Sequence, residues 1–408
     1  MKKITFIHAA DLHLDSPMSG LRHLPQPIFK RIQESSFTAL SKLIDTAIAE
    51  QVDFVIFAGD IFDGENRSIR AQSRFRKQIE RLAYHHIPVF IVHGNHDHLD
   101  GKWAQIPLPP NAYIFPGEVE VKNVQCNNHT TVSLYGFSYP QRHVFEKKID
   151  EYAKTGSADF HIGILHGHYE GSSDHGKYAP FQLSDLLEKQ FDYWALGHIH
   201  KRAQLSVEPP VIYPGNIQGR HPKESGEKGC YIVTLTEYDK SLEFISLSDI
   251  LWGEIELDAS NATTIADLDQ LCRNSLDLTR KEGKGTLLTL KLSGVSLKND
   301  QIHYLKSGEL LESLQDEDQD DEYSFVWPVA IEFEEKTEYV RTLLINEADF
   351  FDELFQAVDT YENWDESLSS LYQHSAARKF MTSLTETDKE QLIMEVEKLL
   401  VKSLKQQV

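Results

Sequence analysis

Five short polar signatures in this 408-residue chain have residue types and spacings that could do chemistry. In chain order they are Asp11-Leu12-His13, Gly59-Asp60 with Asp63, Gly94-Asn95-His96-Asp97, His166-Gly167-His168 and Gly197-His198-Ile199-His200. The first two are weak alone, because a D-x-H triplet arises often by chance and a Gly-Asp pair is more often a simple turn. The third is far more specific, since a turn would need only the Gly and the Asn.

Together the signatures supply two carboxylates, one amide and four imidazoles: Asp11, His13, Asp60, Asn95, His166, His198 and His200. This mixed nitrogen and oxygen set without sulfur suits manganese, iron or zinc better than calcium. Seven ligands with one shared carboxylate can fill two sites. Two divalent cations about 3.5 to 4 Å apart clamp the attacking and leaving oxygens of a phosphoryl displacement and lower the pKa of a bound water. The set therefore predicts a two-metal phosphoesterase.

The elements that must position these residues are short apolar runs, which we interpret as buried strands. The runs are 4–9, 54–58, 89–92, 132–137, 162–165 and 193–196, with amphipathic helices predicted at about 28–51 and 68–86. This alternation predicts an α/β core. Every signature follows or ends a predicted strand, and ligands of open α/β sheets bind beyond the carboxyl ends of strands. Residues far apart in sequence can therefore converge.

Charge and composition limit the function classes. The net charge is -22, of which residues 1–250 carry -4 and residues 251–408 carry -18, so the acidity belongs mainly to the C-terminal part. A strongly acidic chain is unusual for a nucleic-acid binder. The three cysteines form no Cys-x-x-Cys pair, which argues against a disulfide framework or a zinc knuckle. The chain has no apolar run long enough for a membrane span, and an opening apolar stretch interrupted by His8 favours a cytoplasmic protein.

The order D-x-H, G-D-x-x-D, G-N-H-D, H-G-H and G-H-x-H resembles the calcineurin-like metallophosphoesterase superfamily. Within it, segments 7–14, 196–201 and 213–216, with Lys228-Gly229, resemble the SbcD-type DNA-repair exonucleases, most closely their YhaO-type branch. The resemblance implies a four-layer α/β (α+β) core of two packed mixed β-sheets flanked by helices. A smaller α/β capping domain and C-terminal helices would follow. The implied domains are 1–250 for the nuclease, 251–341 for the cap and 342–408 for the helical region.

The resemblance also implies a role for each site residue. Asp11, His13, Asp60 and His200 would hold one metal, and Asp60, Asn95, His166 and His198 the other, and both metals are expected to be Mn2+. His96 would face the scissile phosphate as a general acid or transition-state stabiliser, and Asp97 would fix its tautomer. The nucleophile would be a metal-bridging hydroxide. Of the other histidines, His93 stands where the pattern commonly has Pro and could support the ligands, whereas His143 is expected to be an ordinary surface or loop residue.

The partners implied by the resemblance are DNA, an SMC-like coiled-coil ABC ATPase of SbcC or YhaN type, and a second copy of the chain. Candidate DNA contacts are Arg67, Arg70, Arg74, Lys201, Arg202 and Arg220. The run that contains Arg67, Arg70 and Arg74 could equally be a solvated helix face. The apolar stripe within 388–404 could dock the ATPase or close the core of this chain.

Three functions remain open on these residues. The first is a DNA-repair nuclease subunit, which we expect to be an exonuclease. The second is a nucleotide or phosphoprotein phosphoesterase that needs the same metals without a DNA groove, which the acidic balance favours. The third, a non-catalytic scaffold, is disfavoured because all seven ligand positions are filled.

Overall fold

A computed structural model of the chain describes residues 2–18, 20–21, 24–64, 67–101, 104, 106–170, 178–316, 323–335, 341, 344–345, 349–373 and 385–405. The chain divides into two compact units. The larger unit comprises Met1–Leu257, Thr264–Lys291 and Asn299–Glu332. The smaller unit comprises Asp258–Thr263, Leu292–Lys298 and Phe333–Val408.

The strands and helices alternate as predicted in the first third of the chain. The strands are β1 (Lys3–Ala9), β2 (Phe54–Ala58), β3 (Val89–Val92), β4 (Ala112–Ile114), β5 (Glu120–Gln125), β6 (Thr131–Gly136), β7 (Phe160–His166), β8 (Tyr193–Gly197), β9 (Ala203–Val207), β10 (Pro210–Tyr213), β11 (Gly229–Thr236), β12 (Lys240–Ser246), β13 (Ile250–Asp258), β14 (Gly285–Val295) and β15 (Val326–Glu335). The helices are α1 (Gln26–Ala49), α2 (Ile69–Tyr84), α3 (Leu183–Glu188), α4 (Ile265–Thr279), α5 (Asn299–Ser307), α6 (Glu309–Asp316), α7 (Asp349–Asp359), α8 (Trp364–Gln373) and α9 (Glu386–Lys405).

Two six-stranded mixed sheets form the core of the larger unit. The first has the strand order β12-β11-β1-β2-β3-β4 and the second has the order β5-β6-β7-β8-β10-β9. Strands β1, β2, β3 and β4 run parallel to one another, as do β6, β7, β8 and β10. Strands β11, β5 and β9 pair antiparallel with β1, β6 and β10. The carboxyl ends of the parallel strands of each sheet therefore lie along a common edge.

The space between the sheets is filled by inward-facing side chains from both. Phe6 and Phe54 of the first sheet stack with ring centroids 4.9 Å apart, and Tyr193 of the second sheet meets Phe6 edge-on at 5.3 Å. Helices α1 and α2 cover the outer face of the first sheet with side chains such as Leu40 and Phe75. The predicted description of two mixed sheets flanked by helices is confirmed.

Strands β13, β14 and β15 form a third sheet in that order. In the larger unit, Trp252, Leu287 and Trp327 of these strands pack with Ile28 and Ile32 of α1 in one apolar cluster. Thr264 caps α4 by accepting a hydrogen bond from the backbone N–H of Asp267, whose carboxylate accepts in return from the Thr264 backbone N–H. In the smaller unit, Leu344, Phe355 and Val401 form a buried cluster that joins α7 and α9.

Candidate metal centre

The five signatures converge because their strands end side by side. Beyond the strand ends the backbone turns sharply: Asp11, His13, Asp60 and His198 have φ values of 52°, 42°, 50° and 101°, a left-handed region that non-glycine residues seldom occupy. Hydrogen bonds hold the turns together, from the Asp11 N–H to the Gly59 carbonyl at 3.1 Å and from the His13 N–H to the Asp60 carbonyl at 3.0 Å. Such strained conformations persist where surrounding structure enforces them, as at functional sites.

The first donor group consists of Asp11, His13 and His200, whose ligand atoms all lie within 4.8 Å of one another. The Nε2 atoms of His13 and His200 face each other at 3.0 Å. Burial, followed by the positive charge of Arg220, lowers the pKa of His13 to about 3, so its imidazole is neutral. Neutral imidazole nitrogens that converge with a carboxylate are the arrangement that a divalent cation requires.

The second donor group surrounds His166. Its Nε2 lies 3.2 Å from Oδ1 of Asn95 and 3.5 Å from Oδ2 of Asp60. The same Asp60 oxygen lies 3.8 Å from Nε2 of His13. One carboxylate oxygen therefore stands between the two groups, which is the position of a bridging ligand.

The surroundings of His166 fix the direction of its ring. Its Nδ1 donates to the backbone carbonyl of Ala58 at 3.0 Å, which leaves Nε2 for a ligand bond. Although burial alone would lower it, the carboxylates of Asp60 and Asp11 raise the pKa of His166 to about 9. The buried acids around this ring therefore favour a positive charge in the pocket, which a divalent cation would supply.

Both the backbone N–H and the ring of His198 contact residues of the centre. Its N–H donates to both carboxylate oxygens of Asp11, at 3.0 and 3.1 Å. The His198 and His166 rings meet edge-on with centroids 5.2 Å apart. All seven predicted ligands thus lie in one region, although the compact donor groups do not include His198.

The structure corrects the predicted partner of His96. Its Nδ1 lies 3.3 Å from Oδ1 of Asp63. Although burial alone would lower it, the bond to Asp63 and the negative charges of Asp60 and Asp63 together raise the pKa of His96. Asp97 instead accepts from the backbone N–H groups of Ile61 and Gly94 and lies 2.9 Å from Nδ1 of His93. Asp97 therefore holds the loop in place, because its two oxygens are occupied by donors other than the His96 ring.

A second carboxylate, Glu224, was missed from the sequence. Its Oε1 lies 2.6 Å from Nδ1 of His200, and its Oε2 accepts from the side chain of Asn216 at 2.8 Å. The segment 213–216, which the sequence marked only by resemblance, thus supports a metal-site histidine through Glu224. Glu224 lies in a loop with three other charged residues between 220 and 227, and nothing in its neighbourhood distinguishes it before the fold is known.

The six candidate DNA contacts differ in their surroundings. Arg220 lies inside the centre, where its guanidinium is 3.4 Å from Asp63 and 3.3 Å from Nδ1 of His200. Lys201 and Arg202 directly follow His200 and are exposed. In contrast, Arg70 and Arg74 of α2 both pair with Glu34 of α1, at 2.9 and 2.7 Å. Arg67 donates to the Asp97 carbonyl at 3.0 Å.

Two glycines leave the space that the donors need. A Cβ added at Gly94 would lie 2.3 Å from Oδ1 of Asp60 and 2.6 Å from Nε2 of His166. A Cβ added at Gly197 would lie 1.8 Å from the Ala58 carbonyl. The glycines of the signatures thus allow close approach of the ligands.

Comparisons with known proteins show the family to which the chain belongs. A profile of the calcineurin-like phosphoesterase family matches residues 4–202. Over 407 residues the chain is 41% identical to the uncharacterized metallophosphoesterase YhaO of Bacillus subtilis, a match that covers 98% of each chain. The chain belongs to the calcineurin-like metallophosphoesterase family.

This metallophosphoesterase also has more distant relatives. It is 25% identical over 273 residues to the DNA double-strand break repair protein Mre11 of Thermoplasma acidophilum, which covers 62% of this chain and 69% of that protein. The Mre11 protein of Sulfolobus acidocaldarius is 25% identical over 323 residues, 72% of this chain and 77% of its own. A solved dimetal phosphatase from Danio rerio overlaps 60% of this chain and 97% of that chain at 12% identity, with a TM-score of 0.37.

The donor set of the metallophosphoesterase fits the divalent cations that the family uses. The buried carboxylates Asp11 and Asp60 belong to donor groups whose ligand atoms lie within 4.8 Å of one another: Asp11 with His13 and His200, and Asp11 with Asp60 and His166. Among the residues that the structure describes, no helix is long and apolar enough to cross a membrane.

Proposed function

We propose that this metallophosphoesterase hydrolyses DNA phosphodiester bonds, as a DNA-repair nuclease subunit with exonuclease action. The observation that carries the proposal is the arrangement of two donor groups with Asp60 between them. One Asp60 oxygen lies 3.8 Å from Nε2 of His13 and 3.5 Å from Nε2 of His166, and the centroids of the His96 and His13 rings are 5.0 Å apart. When bound, two divalent cations, which we expect to be Mn2+, would supply a nucleophile from water at neutral pH and offset the phosphate charge.

The residues of the chain then have separate tasks. Asp11, His13 and His200 would hold one cation, Asn95, His166 and His198 would hold the other, and Asp60 would contribute to both. His96, whose pKa the Asp63 carboxylate raises against the effect of burial, is the proton donor for the leaving 3′ oxygen. Arg220, beside Asp63 and His200, offers a fixed positive charge to the phosphate.

Two features support DNA as the substrate. The Mre11 relatives are named as DNA double-strand break repair proteins. In this chain, the exposed Lys201 and Arg202 continue directly from the metal-site His200 and can contact a phosphate backbone. The overall acidity does not oppose such contact, because the bound cations themselves add positive charge at the site.

The C-terminal helix supports a protein partner. Val401 of α9 is buried in its own unit, whereas Val396, Leu399 and Leu400 expose 44%, 64% and 36% of their surface. The apolar stripe predicted for this helix thus has an exposed side, which we propose docks an SMC-like coiled-coil ABC ATPase in the cytoplasm. Leu399→Glu should abolish co-purification with the ATPase, and Tyr238→Ala, an exposed aromatic residue of the β11–β12 turn, serves as the control.

One observation favours a second candidate, a phosphoesterase of nucleotides or phosphoproteins. The guanidinium groups of Arg70 and Arg74, two of the predicted DNA contacts, are engaged by Glu34. In a protein that does not bind DNA, these two cations need not be available to a phosphate backbone.

The deciding experiment compares a labelled DNA duplex that has single-stranded ends with the small ester bis-p-nitrophenyl phosphate. Both are incubated with wild type and His96→Ala, in Mn2+ and in EDTA. Metal-dependent DNA cleavage that is lost in His96→Ala supports the nuclease. Cleavage of the small ester alone, even with the ATPase added, would reject it in favour of the second candidate.

A further inference from the structure

A cluster of three aromatic rings lies beside the metal centre and has no part in holding it. His143, Phe145 and Tyr178 are near-parallel: the ring planes of His143 and Phe145 differ by 6°, those of His143 and Tyr178 by 22°, and those of Phe145 and Tyr178 by 17°. Their centroids are separated by 5.5 to 6.1 Å. We name these three residues the aromatic platform.

The local sequence explains why two of the rings are exposed. Val144 is buried at 1% exposure and its carbonyl accepts from the Ala179 N–H at 2.6 Å. In an extended segment, the residues on either side of an inward-facing one both point outward. His143 and Phe145 are therefore exposed, with 66% of the Phe145 surface accessible. The Phe145 ring thus lies at the surface with the rings of His143 and Tyr178 beside it.

The platform is joined directly to the metal centre. Tyr178 meets the His198 ring edge-on, with centroids 5.6 Å apart and planes at 78°. The Tyr178 carbonyl accepts from the His168 N–H at 2.9 Å, two residues beyond His166. A phosphate bound at the two donor groups would thus have its neighbouring nucleotides within reach of these rings.

We propose that the aromatic platform stacks unpaired bases of the substrate next to the scissile phosphate. This inference rests on the proposed nuclease function and specifies its substrate as a DNA end with unpaired nucleotides. Near-parallel aromatic faces bind bases of any sequence, because every base has a π face. The exposed Arg142, adjacent to His143, adds a positive charge beside the platform for the backbone.

The test combines substitutions of Phe145 with changes in the unpaired end of the DNA. Wild type, Phe145→Ala, Phe145→Leu and Phe145→Trp are assayed in Mn2+ on a duplex with a single-stranded end, whose unpaired nucleotides carry either bases or abasic sites. Wild type should have a kcat/KM about tenfold higher on the end with bases, as base–aromatic stacking predicts. Phe145→Ala and Phe145→Leu should lose that preference, and Phe145→Trp should keep it.

Tyr238→Ala is the matched control, because Tyr238 is 87% exposed and follows the strand end that pairs with Lys3, at the opposite end of β1 from the metal site. It should behave as wild type. In EDTA, the fluorescence of 2-aminopurine in the unpaired end should be quenched by wild type and not by Phe145→Ala.

The outcomes separate this inference from the function on which it rests. If wild type cleaves DNA and Phe145→Ala keeps the preference for bases, the platform does not stack bases and the inference is overturned. The platform would then be a surface that contacts another protein. An equal loss of activity on ends with bases, abasic ends and blunt duplex would mean a structural role and also overturn the inference. If wild type hydrolyses only bis-p-nitrophenyl phosphate, even with the ATPase added, the nuclease proposal itself fails.

Discussion

The Asp63 carboxylate lies 3.3 Å from Nδ1 of His96, so the acid that orients this histidine comes from the end of β2 rather than from its own loop. Asp63 also lies 3.4 Å from Nδ1 of His13 and 3.4 Å from the guanidinium of Arg220. One carboxylate therefore connects the proposed proton donor, a metal ligand and a fixed cation. Despite its burial, these contacts hold the pKa of Asp63 below its usual range, so it is ionised at neutral pH.

Replacing Asp63 should change the pH dependence of turnover. A proton donor works only while it is protonated, so the rate falls as pH rises through the pKa of His96. Asp63 raises this pKa, and Asp63→Asn should therefore move the falling limb to lower pH. The profile of kcat/KM on DNA from pH 5 to 9, in saturating Mn2+, measures the shift.

The ester bis-p-nitrophenyl phosphate provides the control for this prediction, because its leaving group needs little protonation. Its profile should change much less in Asp63→Asn. Equal shifts for both substrates, or loss of Mn2+ from the variant, would instead assign Asp63 to the metal site.

His96 and Asp60 should respond differently to truncation. His96→Ala should retain both metals and lose roughly 10²- to 10⁴-fold in turnover, as expected for general acid catalysis. Asp60→Ala should lose metal, because one oxygen of Asp60 lies between His13 and His166. Metal analysis of the two purified variants decides the matter, and the same metal content in both would contradict separate roles.

Glu224 should matter for metal affinity although it touches no proposed ligand atom. It bonds Nδ1 of His200 and so fixes the ring that presents Nε2 to the centre. Glu224→Gln should weaken Mn2+ binding by about 10- to 100-fold, the usual effect of losing such a supporting carboxylate. Titration of the apoprotein with Mn2+ measures this, and Glu243→Gln, on the exposed face of β12, should bind as wild type.

Asp97 should act on stability rather than on chemistry. Its buried carboxylate accepts from the Ile61 and Gly94 N–H groups and lies against Nδ1 of His93. The side-chain amide of an Asn at this position would have only one oxygen for these donors. Asp97→Asn should destabilise the fold by about 3 kcal/mol. Urea unfolding in EDTA tests this. Unchanged stability together with lost turnover would restore the role that the sequence suggested for Asp97.

The sequence by itself determined the donor set and the architecture around it. Central strands such as β2 are entirely apolar, and the helices between them have amphipathic spacing, so both are recognisable from the residues alone. Strands β4, β5 and β9 were not predicted. They lie at sheet edges, where few side chains are buried and the apolar pattern is weak.

Only the tertiary structure decided which side chains form hydrogen bonds and ion pairs with one another. Asp63 and Asp97 lie three residues from Asp60 and one residue from His96, and it was the family resemblance that favoured Asp97 as the partner of His96. The direction of each side chain depends on left-handed turns at Asp11, His13, Asp60 and His198, a conformation that these residue types do not predict. Glu224 and the aromatic platform meet the site from distant segments, because packing of the strand ends, rather than sequence distance, sets their proximity.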